Sequence, residues 1–262
     1  MSGIRPVGRN SRSKTGTCSL CGEDGPLTRA HVPPRAAGNM TQAAPMVTSA
    51  DGGLDDLRLG RLRDGGTWVR ELCRSCNSAT GRYDEELARW WKALVLQWDL
   101  LRAQPIGTEA PFRLEDVRPG AFVRSVLAGM HALNRTLRSL WPELAHAVVT
   151  GGTTEAPSGL FLLLSLYTGD KRYVLGGPGV TKEVRLPNGT GGIIQPEAEI
   201  AWPPMHLVLV SESSRLPWPD SMDVLPWLQD APDDTRDVAV RTVILGEGHL
   251  FMAEFGIPAE GA

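Results

Sequence analysis

Residues 69–77 read Val-Arg-Glu-Leu-Cys-Arg-Ser-Cys-Asn, with a glycine four residues on at Gly81. The run from Thr67 to Leu72 has strand character, and the Cys-x2-Cys pair closing it stands just before a stretch of helical periodicity, where the positive end of the helix dipole favours thiolate charge. A second pair with the same spacing, Cys18-x2-Cys21, lies upstream, and the two pairs contain all four cysteines of the chain. Two short-spaced pairs can close a tetrahedral Zn2+ site, because each grips the ion from one tight turn and the turns supply opposite edges of the tetrahedron. Disulfides would need an oxidising compartment and a secretory leader. The first 17 residues are basic and polar with no apolar segment, and nothing approaches 18 consecutive apolar residues. The expectation is a cytoplasmic protein with reduced thiols, no membrane association and a structural zinc.

The 262-residue chain has 42% hydrophobic content and can bury a sizeable core, as one large domain or two smaller ones. Its formal charge of −3 is unevenly divided. Residues 1–92 carry 14 Lys/Arg against 10 Asp/Glu, net +4, whereas residues 93–262 carry 13 against 20, net −7. A positive first third on an acidic whole suits a module that meets phosphates. The expected organisation is a flexible basic leader over 1–16, a zinc module over 17–104 and an α+β recognition or regulatory domain over 105–262, with a protein partner or a second copy as its possible contact.

Within the module, Thr17–Gly25 reads as a knuckle in which Gly22 permits a sharp turn, and Leu27–Val32 as a strand ending at Pro33-Pro34. The stretch from Ala36 to Gly53 reads as an irregular insertion. Leu57–Leu62 and Thr67–Leu72 flank Asp64-Gly65-Gly66 and read as a hairpin. From Tyr83 to about Arg102, Leu87, Trp91, Leu94, Trp98 and Leu101 recur at helical spacing. Beyond Pro105, residues 119–148 read as one long helix or two broken near Trp141-Pro142. Strand-like runs follow at 160–167, 172–175, 192–200, 206–210, 238–245 and 250–255, with turns at Gly169-Asp170 and Gly246-Glu247-Gly248 that suggest antiparallel pairing.

Chemistry concentrates between the cysteine pairs. An imidazole at His31, at a strand end, can take a proton from water near neutral pH. Asn77, held beside Cys76, offers a carbonyl oxygen suited to Mg2+ or Mn2+. Together they could hydrolyse a phosphodiester, although each alone reads equally as a packed histidine and a helix N-cap. Arg35, Arg70 and Arg82 are the candidate contacts to substrate phosphates. Elsewhere, His131, His146 and His206 read as packed or surface residues, Glu197 and Glu199 as structural or solvated, and Gly176-Gly177-Pro178-Gly179 lacks the lysine of a phosphate loop.

Cys-x2-Cys-Gly at 18–22, Thr28-Arg29-Ala30-His31-Val32-Pro33-Pro34, and Val69 through Asn77 with Gly81 resemble the HNH (ββα-metal) nucleases, and most closely the four-cysteine branch that includes phage recombination endonuclease VII. The resemblance covers about residues 17–90. It implies a zinc-bound, treble-clef-like ββα-metal module and a phosphodiester hydrolase acting on nucleic acid, DNA in the first place. His31 would be the general base, Asn77 a ligand of a catalytic Mg2+ or Mn2+, and Cys18, Cys21, Cys73 and Cys76 the structural zinc ligands. One position departs from the pattern: the acidic ligand usual before the histidine is Ala30 here. Asn77 alone can hold Mg2+ with water and phosphate oxygens, as the asparagine does in some members of the family; alternatively Asp51, Asp55 or Asp84 completes the ion, or the site is degenerate and the module is a zinc-stabilised element that binds nucleic acid or protein without catalysis.

Overall fold

The computed structural model describes residues 14–40, 46–47, 58–59, 65–176, 182–185, 191–194, 196–212, 221–246 and 257–258. It is a mixed α+β structure. Strands β1 (Thr15–Thr17) and β2 (Asp24–His31) form a tight hairpin around the first cysteine pair. Gly22, at φ +79°, makes the turn there, and its amide donates to the Cys18 carbonyl at 2.9 Å. The short strands β3 (Met46–Val47) and β4 (Arg58–Leu59) pair with each other. Strand β5 (Trp68–Cys73) pairs antiparallel with β2, giving the sheet order β1-β2-β5.

The hairpin expected across Asp64-Gly65-Gly66 is therefore replaced by a longer-range pairing. The described part of its first strand, Arg58–Leu59, joins Met46–Val47, and β5 joins β2. The cysteines explain the preference, since grouping their four sulfurs requires the end of β5 to lie against the β1–β2 turn. Residues 60–64, most of the insertion after Met40 and residues 1–13 lie outside the described residues.

Helix α1 (Arg74–Gly81) follows, and the single helix expected from Tyr83 to about Arg102 divides into α2 (Asp84–Val95) and α3 (Trp98–Arg102). Cys73 is the N-cap of α1, its sulfur accepting from the Cys76 amide at 3.5 Å, so Cys76 lies inside the first turn of this helix and not before it. Helix α2 buries Leu87, Trp90 and Leu94, with Trp90 stacked on Phe122 at 4.3 Å. The break at Leu96-Gln97 leaves Leu96 exposed and turns Leu101 back onto the core.

Strand β6 (Glu109–Val117), which the sequence did not signal, leads into α4 (Pro119–Leu133), α5 (Leu137–Leu140) and α6 (Pro142–Thr150). A break at Trp141-Pro142 is present as anticipated, and a second falls at Asn134. Helix α4 is buried on nearly all sides, as its almost continuous apolar sequence requires. Strands β7 (Leu160–Tyr167), β8 (Lys171–Gly176), β9 (Lys182–Arg185), β10 (Gly191–Ile194), β11 (Pro196–Trp202), β12 (Met205–Ser211), β13 (Met222–Asp223), β14 (Arg236–Leu245) and β15 (Ile257–Pro258) complete the chain.

The large sheet has the order β15-β8-β11-β12-β7-β14-β6, with β13 also against β7, while β9 and β10 pair separately. Strands β7 and β8, expected as neighbours across Gly169-Asp170, are separated by β11 and β12. Strand β7 is apolar on both faces and takes a full-length partner in β12. The run expected at 192–200 divides into β10 and β11, and the strand expected at 250–255, with the turn before it at Glu247-Gly248, lies outside the described residues. One apolar cluster runs from Leu27, Leu72 and Leu87 through α4 to β7, β11, β12 and β14. Among the described residues no helix is long and apolar enough to cross a membrane.

Candidate active site beside a four-cysteine group

The sulfurs of Cys18, Cys21, Cys73 and Cys76 all lie within 4.8 Å of one another. Those of Cys21 and Cys73 are 3.8 Å apart, far beyond a disulfide, and no described cysteine is bonded to another. A tetrahedral ion with Zn–S bonds of about 2.3 Å sets its sulfurs about 3.8 Å apart. These four residues could therefore hold a metal ion such as zinc. The surrounding backbone supports charge on sulfur, with the Cys73 amide donating to Cys18 Sγ at 3.3 Å. Burial raises the Cys73 thiol, but hydrogen bonds from Ser75 Oγ, the Cys76 amide and neighbouring thiols bring it down to about 7. Burial raises the thiols of Cys21 and Cys76 instead, and at Cys76 the neighbouring Cys18 sulfur raises it further.

Next to this group a half-open cleft of about 300 Å3 gathers His31, Asn77, Thr80, Asp84, Arg29 and Arg35. His31 comes from the end of β2. Its ring is half-buried and bonded to the Gly65 carbonyl, which fixes the imidazole. Burial lowers its pKa, and the positive charges of Arg35 and Arg29 lower it further, so the ring is neutral at neutral pH and can accept a proton. Asn77 lies in the first turn of α1, one residue beyond Cys76, and its amide nitrogen donates to the Arg29 carbonyl at 3.1 Å. That bond joins the helix to the strand carrying His31 and assigns Asn77 Oδ1 to the side away from the strand carbonyl.

Asp84, at the start of α2, is the acid of this cleft. Its Oδ1 accepts from Ser125 Oγ at 3.0 Å, and burial raises its pKa to about 6 despite that bond. Ser125, Ala128 and Gly129 of α4 form the opposite wall, where a β-carbon at Gly129 would sit 3.1 Å from Val32. The C-terminal part of the chain thus contributes one wall of the cleft. Ala30, in the place of the usual acid, is 6% exposed and belongs to the core.

Of the arginines expected to meet phosphate, Arg35 lines the cleft. Arg70 packs near the ring of Trp68, 5.7 Å from its centroid, and Arg82 lies over Tyr83 and donates to its hydroxyl at 2.5 Å, so neither reaches the cleft lining. Arg29, which does, was not singled out from the sequence. Its signal was its place two residues before His31 on an exposed strand. Asp84 opens α2, just beyond the turn that ends α1, and lines the cleft with Asn77, whereas Asp51 and Asp55 lie outside the described residues. Glu199, read as solvated or structural, is completely buried, where its Oε1 takes hydrogen bonds from Tyr173 Oη at 2.6 Å and His206 Nε2 at 2.7 Å.

Compared with protein-family models, curated proteins and solved structures, the chain matches none of them. The geometry and chemistry of the cleft carry the functional reading by themselves.

Proposed function

We propose that the protein is a metal-dependent endonuclease of the HNH (ββα-metal) kind, in which β2, β5 and α1 form the ββα unit and a structural zinc on the four cysteines holds it together. One observation carries this reading above the others: His31, Asn77 and Asp84, from three different elements, converge in one cleft beside the four-thiol group. In this reading Asp84 supplies the carboxylate that Ala30 does not. Asn77 Oδ1 and Asp84 are hard oxygen donors of the sort that hold Mg2+ or Mn2+, and such an ion, when bound, would stabilise the charge that builds on the phosphate oxygens.

The remaining steps belong to the protein. Arg35 attracts and orients the phosphodiester in the cleft. The unprotonated nitrogen of His31, held by the Gly65 carbonyl, takes a proton from water as its oxygen attacks phosphorus, and the leaving alkoxide acquires a proton from solvent. A neutral histidine suits this role, because a charged one has no lone pair to offer. The rival reading, a zinc-stabilised binding module without catalysis, draws on Ala30 alone.

Incubation of the purified protein with plasmid, single-stranded DNA and RNA in Mg2+, Mn2+ or EDTA tests the proposal. Metal-dependent cleavage abolished by EDTA is the expected result. No cleavage of any substrate with either ion, by protein that retains its zinc, would favour the binding module.

A further inference from the structure

Several arginines of this structure pair with a carboxylate. Arg113 faces Asp237 at 2.5 Å, Arg118 faces Glu86 at 3.2 Å, Arg236 faces Asp230 at 2.7 Å, and Arg135 holds Glu71. Arg29 and Arg35, which line the cleft, and Arg70, on the neighbouring strand β5, have no carboxylate at ion-pair distance among the described residues. Arg29 and Arg35 are exposed. The guanidinium of Arg29 lies 4.5 Å from the centre of the Trp68 ring and that of Arg70 lies 5.7 Å from it. Trp68 stands opposite His31 in the β2–β5 ladder.

The ladder itself is deformed here. Thr28 pairs with Leu72 and Ala30 with Val69, so Arg29 faces two residues, Arg70 and Glu71. This is a β-bulge, a device that redirects side chains beside functional sites. Glu71, the acid that could have neutralised Arg70, is engaged by Arg135. Stacking on an indole fixes a guanidinium without cancelling its charge. Like charges are thus gathered and oriented on a chain whose net charge is −3, an arrangement that an anionic ligand stabilises.

We infer that Arg29, Trp68 and Arg70 form a phosphate-holding subsite that grips the nucleic-acid backbone beside the phosphate being cut, Trp68 acting as a positioning residue for the two guanidiniums. The inference rests on the nuclease reading of the neighbouring cleft and extends the substrate contact from the scissile phosphate to the strand leading away from it.

Binding can be read apart from cleavage by using a His31→Ala background in EDTA and following fluorescence anisotropy of labelled duplex and single-stranded DNA across a salt series. Each lost phosphate contact flattens the slope of log K against log salt by about 0.9 for duplex and about 0.7 for single strands. Arg70→Ala and Arg29→Ala should each flatten it by about one contact. Trp68→Leu, which changes no charge, should weaken binding and flatten the slope, and Arg70→Lys should recover the slope only in part. Arg241→Ala, an exposed arginine on β14, should leave both unchanged. Slopes equal to the parent's in Arg29→Ala and Arg70→Ala proteins that retain zinc would overturn the subsite, as would a parent that binds neither form of DNA. A parent that cleaves while these variants keep its slope loses the subsite and keeps the nuclease. A parent that never cleaves but shows the expected slopes keeps the subsite and loses the nuclease.

Discussion

Asp84 is the residue on which stability and function pull in opposite directions. Its carboxyl titrates near 3.8 in an unfolded chain and at about 6 here, because burial penalises the charged form. Between those values the folded state binds the proton more tightly than the unfolded state, so stability is greatest at low pH and falls as pH rises to about 6. The displacement corresponds to roughly 3 kcal/mol at neutral pH. Asp84→Asn should therefore raise the stability of the metal-free protein at pH 7 by about 1–3 kcal/mol, visible in urea unfolding, while abolishing cleavage and the stabilisation that Mg2+ or Mn2+ gives the parent. A less stable Asp84→Asn protein that still cleaves would remove Asp84 from the site.

The same residue sets the pH profile. Burial and the charges of Arg35 and Arg29 hold His31 below its usual 6.5, and burial raises Asp84 to about 6, so the part of the acid limb that responds to a bound cation belongs to Asp84. At low Mg2+ the limb should lie near pH 6, and it should move to lower pH as Mg2+ rises, because a cation favours the carboxylate. A limb independent of Mg2+ would contradict this assignment. Ala30→Asp, by contrast, should not improve the enzyme: it places a second carboxylate at a core position next to Asp84, and cleavage at limiting Mg2+ should be flat or lower.

The cysteine group was legible because paired Cys-x2-Cys spacing is itself metal chemistry, whereas His31 and Asn77 stood out only through the family resemblance. Asp84 was legible only as one of three possible acids. Its position depends on the turn between α1 and α2 and on Ser125, forty-one residues away.

At the scale of elements, α4 is the axle of the molecule. Its buried Arg124 donates to the carbonyls of Gly120 at 2.8 Å, Asp230 at 3.0 Å, Gly152 at 2.6 Å and Leu228 at 3.2 Å. The apolar positions of α4 gave the helix, but a buried arginine in the middle of them gave no hint that it would tie down the end of α6 and the segment before β14. Replacing it leaves buried carbonyls without donors, each costing about 1–3 kcal/mol. Arg124→Met should lose about 3 kcal/mol or more in chemical denaturation, and a loss below about 1 kcal/mol would show that water replaces the guanidinium.

The cysteine group clamps the other end of α1. A structural zinc of this type contributes ~10–16 kcal/mol of apparent binding free energy in small domains. Cys73→Ser should lose the ion and unfold β1, β2 and α1, detected as loss of one zinc per chain and of amide protection over residues 15–31 and 68–81. Metal-free, fully reduced protein with that region protected would contradict the clamp.

Sheet order was the least legible level. Turn residues at Gly169-Asp170 mark where β7 ends and β8 begins, but not which strands lie between them in space. That order follows from β7 being apolar on both faces, and β7 gains its full-length partner only when β12 arrives 45 residues after it begins.

Over the whole molecule, the first third of the chain supplies Arg29, Arg35, His31, Asn77 and Asp84 to the cleft, and α4 supplies the uncharged wall of Ser125, Ala128 and Gly129 beside Asp84. A cleft built by both parts explains why the C-terminal residues carry no chemical motif of their own: their contribution is burial, which changes the properties of groups the first part presents. The central claim is that His31 activates water in this cleft. It is tested most directly by single-turnover cleavage of one plasmid substrate in Mg2+ by the parent and by His31→Ala, each first shown to hold the same zinc and to bind the DNA equally. The account predicts cleavage by the parent and a loss of at least about a hundredfold in His31→Ala; equal rates in the two proteins would contradict it.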